Sequence, residues 1–450
     1  MPRVLFDDSL GLLVRTVRQT LGDDALGDGV VLRDATGRLT FIAPRAAASE
    51  EERAHVAKAL SEALGPYARS DEPVLFLDES GASAFLADPT ALPCEVEDGS
   101  CRLIDRRIVG AGWLDSPGEE ASAPPRVVFA SLKGGVGRTT ALALAAADLA
   151  RRNRNLLLVD LDLEAPGLGA FLLDDERLPE FGVLDFLVES GIGGVPEANI
   201  GDFVGVSALT TGGGGRVDVA PVLGRRSLAN PENVLPKLAR ALIEDVAPDG
   251  KTVSVAEKMS TMIARLEARG GYDAVLIDAR AGVSEVAAPA LLGLGATVLL
   301  FGTAQRQTID GYRVLFASLK QLAERDLRSG RDAEWRLALK AVYAKATLND
   351  DLAARHRDEL YELFANNLYD KEEGDTNLTE EIAFEIDDPD APHWPIVIPF
   401  DPKFADFDPV RVPGQFTQVF YEQTFRPFLT ALDAVIATSA AGARSKAQAL

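Results

Sequence analysis

The residues that build metal cages and covalent cross-links are scarce in this chain, which has two cysteines and three histidines in 450 residues. Cys94 and Cys101, with His55, His356 and His393 far apart, lack the tight spacing of a zinc site. The cysteines read as free thiols of a reducing compartment. No apolar run reaches bilayer-spanning length, and Asp7 and Asp8 interrupt the first residues before a signal-peptide core forms. A cytoplasmic protein with no membrane partner is therefore expected. Positive charge is also short: 46 Lys and Arg face 69 Asp and Glu, a formal net charge of −23. That balance opposes broad contact with DNA or anionic lipid, whose surfaces are themselves negative. The most basic segment carries Arg325, Arg328, Arg331 and Arg336, but Asp326, Asp332 and Glu334 interleave it, so it reads as a solvated helix end. A second cluster is Arg151, Arg152 and Arg154. What is present is globular: 47% hydrophobic and 26% charged residues exclude disordered and fibrous classes.

The length suits two domains. Residues 115–125, with Pro117, Gly118, Pro124 and Pro125 among small polar residues, have the composition of an exposed linker. Before it, residues 1–114 predict a small α+β module. Its expected elements are helices over Leu10–Leu21 and Glu50–Leu64, a hairpin of Gly29–Arg33 with Leu39–Ile42, and strands at Val74–Leu77 and Leu103–Val109. The module carries no chemical constellation. Residues 126–450 alternate short apolar strands with longer helical stretches, the pattern of a doubly wound, mainly parallel α/β sheet. Strands are expected at Val127–Ala130, Asn155–Leu161, Val217–Val222, Ala274–Asp278, Thr297–Gly302, Leu337–Ala344 and Pro395–Ile398. Gly212–Gly215 reads as a mobile loop tip, and Gln415–Ala437 as a helix docked on the core.

The most informative segment is Ser131-Leu-Lys-Gly-Gly-Val-Gly-Arg-Thr-Thr140, between a strand and a helix start. That order is the context of a phosphate-binding loop. Glycine permits backbone conformations that aim several N–H groups at one anion, and the anion then sits on a helix N-terminus. The loop from Gly134, Gly135, Val136 and Gly137 through Arg138, Thr139 and Thr140 is thus the expected phosphate cradle. Two further segments bring acids to strand ends, where ligands of open α/β sheets bind. Asp160 and Asp162 follow one apolar strand, and Asp278 closes another. Asp160 and Asp162 also suit ordinary turn chemistry. Arg280, beyond Asp278, reads either as a solvated loop cation or as a phosphate or interface sensor.

The early lysine of K-G-G-V-G, Lys133, resembles the deviant Walker A motif of the ParA/MinD ATPase family, in the variant with Arg138 where lysine is usual. The resemblance covers residues 126–437 and implies a P-loop NTPase fold with ATP and Mg²⁺ as cofactors. It implies that Lys133 reaches the nucleotide of a partner subunit and that Thr139 ligates magnesium. It implies that Asp162 positions the attacking water, while Asp278 acts as a Walker B metal ligand with Asp160 as a further metal-shell candidate. Gly282, in Ala279-Arg-Ala-Gly282, matches the second switch, and Pro399 and Asp401 of Ile398-Pro-Phe-Asp401 match the segment bordering the base. Arginine is longer and planar, so the exchange at Arg138 is not conservative, and slow or partner-dependent turnover is expected.

The functional expectation is an ATPase that dimerises around nucleotide and regulates an unidentified protein partner. The alternative is a nucleotide-gated scaffold with little hydrolysis, as in a bacterial defence system. A related tyrosine kinase ranks below both, because the last tyrosine, Tyr421, lies inside an expected helix rather than a tyrosine-rich tail. The guanine-specifying N-K-x-D is missing, which favours ATP over GTP.

Overall fold

The computed structural model describes residues 4–119, 124–209, 214–246, 250–370 and 382–449. The chain packs as two compact units: Met1–Leu114 with Ser318–Ala333, and Asp115–Ala317 with Glu334–Leu450.

The first unit holds β1 (Val30–Arg33), β2 (Leu39–Ile42), β3 (Val74–Leu75), β4 (Leu92–Val96) and β5 (Gly99–Asp105) in the order β3-β2-β1-β5-β4. The expected hairpin forms as the antiparallel β1–β2 pair. Helices Phe6–Leu21 and Glu50–Leu64 bury Leu13, Val14, Val17, Val56 and Leu60 over one sheet face. Ser49 caps the second helix by accepting from the Glu52 amide. β4 was not expected, because Pro93 cannot donate to a ladder and masks the strand signal. β5 brings Cys101 directly opposite Cys94 on β4, and both are buried free thiols. Arg325 does not match the solvated reading: it is buried and donates to the Leu114 carbonyl at 2.6 Å.

The second unit holds β6 (Arg126–Ser131), β7 (Leu156–Leu161), β8 (Gly205–Val206), β9 (Val217–Ala220), β10 (Asp245–Val246), β11 (Thr252–Val253), β12 (Ala274–Ala279), β13 (Thr297–Gly302), β14 (Leu339–Ala346) and β15 (Ile396–Pro399). Eight of these form one sheet, ordered β15-β14-β13-β6-β12-β7-β9-β8, while β10 and β11 make a separate hairpin. Within the large sheet every pairing is parallel except the edge pair β8–β9. β6, β7 and β12 lie centrally and read as unbroken apolar runs because both faces are covered. This is a mainly parallel P-loop-type α/β fold, as expected, with a separate small sheet in the first unit.

The helix Arg138–Arg151 follows β6 and buries almost its whole length, from Ala141 to Ala150. The C-terminal helix Gln418–Ala449 docks as expected, inserting Tyr421, Phe425, Phe428 and Leu432 into the same core. Phe428 meets Phe129 and Phe301 edge-on, at centroid separations of 6.0 and 5.8 Å. Arg336 is buried against Asp370 at 2.7 Å, so this second member of the basic segment is also internal. Gly212 and Gly213 lie outside the described residues. Gly214 and Gly215 are not a free tip: a Cβ on either falls within 2.3 Å of the Ala150 or Arg154 carbonyl oxygen. Residues 120–123 of the linker also lie outside the described residues, and Gly118 is tied down by its N–H to the Leu292 carbonyl at 2.6 Å. No helix among the described residues is long and apolar enough to cross a membrane.

Candidate nucleotide site

The parallel sheet delivers β6, β7 and β12 to one rim, where each strand hands over to a loop. After β6 the chain must reverse within a few residues into the helix that begins at Arg138. Gly135 and Gly137 make the reversal with φ of +73° and +94°, a region that side-chain-bearing residues rarely enter. A Cβ on Gly134, Gly135 or Gly137 meets nothing within 4 Å, so the loop encloses open space. The amides of Gly134 to Arg138 donate to no protein acceptor among the described residues. They are the free donors of a helix N-terminus, in the arrangement that receives an anion. Val136 is buried beneath the loop, and Thr140 continues the helix.

Arg138 turns beneath this loop instead of toward solvent and is 7% exposed. Its Nε donates to Asp278 Oδ1 at 2.5 Å, its Nη2 to Asp162 Oδ2 at 3.0 Å and its Nη1 to Ser131 Oγ at 3.4 Å. Burial by itself lowers the arginine pKa, but the charges of Asp278 and Asp162 outweigh it and push the value above the ordinary one. Thr139 Oγ1 donates to the other oxygen of Asp278 at 2.6 Å. Arg138, Thr139, Asp162 and Asp278 therefore form one buried cluster. Arg280 joins it, donating from Nη1 to Asp162 Oδ1 at 3.2 Å and pairing through Nη2 with Glu164 at 2.7 Å. It bridges the loops that follow β12 and β7 and is not a solvated loop cation.

Asp160 is fully buried and has a different set of partners. Its Oδ1 accepts from the Asp162 amide at 3.1 Å, and its Oδ2 from the amides of Gly167 and Leu168 at 3.2 and 3.0 Å. Both oxygens are thus occupied in holding the loop after β7. Burial, followed by the charge of Asp278, pushes its carboxyl up to about 8.

The other expected site residues have these partners. Lys133 Nζ donates to Gln305 Oε1 of its own chain at 2.9 Å. Gly282 takes φ of +96°, and its N–H donates to the Ser131 carbonyl at 2.9 Å, a bond that must open before this amide can meet a phosphate. Pro399 ends β15. Asp401 caps the turn Pro402–Phe404 through the Lys403 amide and accepts from Thr424 Oγ1 of the C-terminal helix at 2.7 Å. Its observed bonds are structural.

Sequence reasoning passed over Ser131, Glu164 and Gln305. Each makes its site contact across a fold-generated gap, and only Ser131, next to the loop, carried a local signal. A cavity of 570 Å³ opens at the opposite ends of the same strands, beside Pro125, Leu156 and Ala274, and is separate from this cluster.

Residues 127–408 match the family described as the CobQ/CobB/MinD/ParA nucleotide binding domain (CbiA). No curated protein matches the chain. Among solved structures, the MinD cell division protein of Aquifex aeolicus is 18% identical, with 69% of this chain and 97% of that one covered and a TM-score of 0.41. A plasmid partition protein from Borrelia burgdorferi is 16% identical, covering 67% and 99%, with a TM-score of 0.36. Cobyrinic acid a,c-diamide synthase from Mycobacterium smegmatis, with bound ADP and magnesium, is 22% identical, covering 54% and 82%, with a TM-score of 0.34.

Proposed function

This chain belongs to the CobQ/CobB/MinD/ParA nucleotide-binding domain family, and from that premise we propose that it is a magnesium-dependent ATPase of ParA/MinD type. On this reading it dimerises around bound ATP and acts as a switch on a protein partner, with residues 1–114 as a separate module beyond the 115–125 linker. The observation that carries the reading is the glycine loop, with free amides and open space at the rim where Asp162 and Asp278 also emerge.

The roles are those that the resemblance to the ParA/MinD motifs implies. The amides of Gly134 to Arg138 take the phosphates, with Thr139 and Thr140 at the start of the helix behind them. Lys133 is the trans cation, Asp162 orients water, and Pro399 and Asp401 border the base. The Thr139 hydroxyl and the Asp278 carboxylate are oxygen donors meeting at 2.6 Å, which suits Mg²⁺. Among the described residues no cluster of three or more His, Cys, Asp or Glu is placed to hold a metal ion, as fits a cation completed by phosphate oxygens and water. When bound, the metal supplies positive charge to the transferring phosphoryl group.

The ion pairs of Arg138 favour a second reading, a nucleotide-gated scaffold with little turnover, because they commit the loop's only arginine to Asp162 and Asp278. Sedimentation with ATP, ADP and no nucleotide, alongside steady-state phosphate release, tests both. A shift to dimer with ATP alone is expected under either. Measurable phosphate release selects the ATPase, and its absence the scaffold. A chain that binds no ATP removes both readings.

A further inference from the structure

Every carboxylate oxygen of Asp278 and Asp162 already has a hydrogen-bond donor. Asp278 receives Arg138 Nε on one oxygen and Thr139 Oγ1 on the other. Asp162 receives Arg138 Nη2 on Oδ2, and Arg280 Nη1 with the Ala165 amide on Oδ1. Thr139 Oγ1 gives its proton to Asp278 and keeps its lone pairs for a cation. A lysine at position 138 would offer one compact ammonium, whereas the guanidinium fork spans both carboxylates at once. Of its five N–H donors, three are engaged by Asp278, Asp162 and Ser131, so two remain for a second acceptor. The loop amides above it are free.

The geometry points to Arg138 as a latch: its guanidinium and a divalent cation exclude one another at Asp278 and Asp162, and a polyphosphate bound in the glycine loop releases the carboxylates by drawing the guanidinium off them. Two positive groups cannot share buried carboxylates at hydrogen-bond distance, because their repulsion is strongest where water is excluded. A phosphate chain on the loop offers the same fork equivalent oxygens. Metal and nucleotide are then coupled through Arg138, and by linkage each raises the affinity of the other. The nucleotide half rests on the proposed function. The exclusion of metal from the nucleotide-free chain does not.

Mn²⁺ titration of the nucleotide-free full chain, followed by the electron paramagnetic resonance of the free ion, tests the exclusion. Arg138→Met, which keeps an unbranched apolar stem and removes the fork, is expected to gain one Mn²⁺ site per chain at least about tenfold tighter than anything in the parent. Arg280→Met removes the same charge but leaves Arg138 across both carboxylates, so it is expected to behave as the parent does. Parent binding as tight as that of Arg138→Met overturns the latch. So does an equal gain in Arg280→Met, which reduces the effect to net charge. Thermal melting checks that each variant is folded; should Arg138→Met not fold, Arg138→Lys replaces it, and its failure to exceed the parent counts against the latch. A non-hydrolysable ATP analogue is then added, and the parent's Mn²⁺ affinity is expected to rise by a larger factor than that of Arg138→Met. Equal factors contradict the release step. If no analogue binds to any variant, the proposed function falls while the Mn²⁺ comparison still decides the exclusion.

Discussion

Asp160 and Asp278 are direct register partners on the adjacent parallel strands β7 and β12, two fully buried carboxyl groups side by side. Only Asp278 faces a guanidinium. Burial raises both, and Arg138 and Thr139 pull Asp278 part of the way back.

The first prediction concerns pH. The folded pKa of Asp160, about 8, lies above its ordinary value of 3.8, so its contribution to stability is fully present below the lower value and is lost as pH rises through the higher. Replacing Asp160 by asparagine should flatten the stability profile across this window. Urea unfolding of parent and variant at several pH values reads the difference, and parallel profiles would show that Asp160 ionises normally.

His356 gives the opposite slope. It is buried with Nδ1 lacking a hydrogen bond, beside the Tyr343 ring at 4.7 Å and 4.0 Å from Glu359, and burial pushes its pKa down to about 4. Its stabilising share is present above the ordinary 6.5 and is lost as pH falls through about 4. His356→Leu should therefore resist acid unfolding better than the parent in circular-dichroism melts at low pH.

The two strand-end acids should part in their effects. Asp278→Ala leaves the Arg138 fork buried without its shortest partner, and breaking such a pair costs about 3–5 kcal/mol. Asp162→Ala also removes a contact of Arg138, but Asp278 still holds the fork. That variant should stay folded, retain ATP and accumulate the bound state with slowed phosphate release. Equal destabilisation of both would remove this division.

Lys133 rests on Gln305 of its own chain at 2.9 Å, half-exposed at the rim. If it serves a partner subunit, Lys133→Ala abolishes ATP-driven dimerisation in sedimentation, whereas Gln305→Ala leaves it intact. A Lys133→Ala chain that still dimerises assigns the lysine to its own loop.

Much of the framework was legible in the sequence because it is local. The strand at Thr297–Gly302 and the helix at Glu50–Leu64 form over the expected residues. In the strand an unbroken apolar run, and in the helix apolar spacing with the Ser49 cap, act within one element. β8 and the β10–β11 hairpin, two residues to a strand, carry too little pattern to read. The basic segment misled because Arg325 and Arg336 find their partners at Leu114 and Asp370, distant in sequence.

The glycine loop and the strand-end acids were determined by sequence alone: Gly135 and Gly137 allow the reversal, and the apolar runs bring Asp160, Asp162 and Asp278 to one rim. What Arg138 does there was decided only by tertiary structure. Its partners Asp162 and Asp278 lie 24 and 140 residues away in the chain, and a fork that fits phosphate fits carboxylate equally well. The register of β7 beside β12 places those carboxylates under the loop, and their burial makes an unpaired charge too costly to leave.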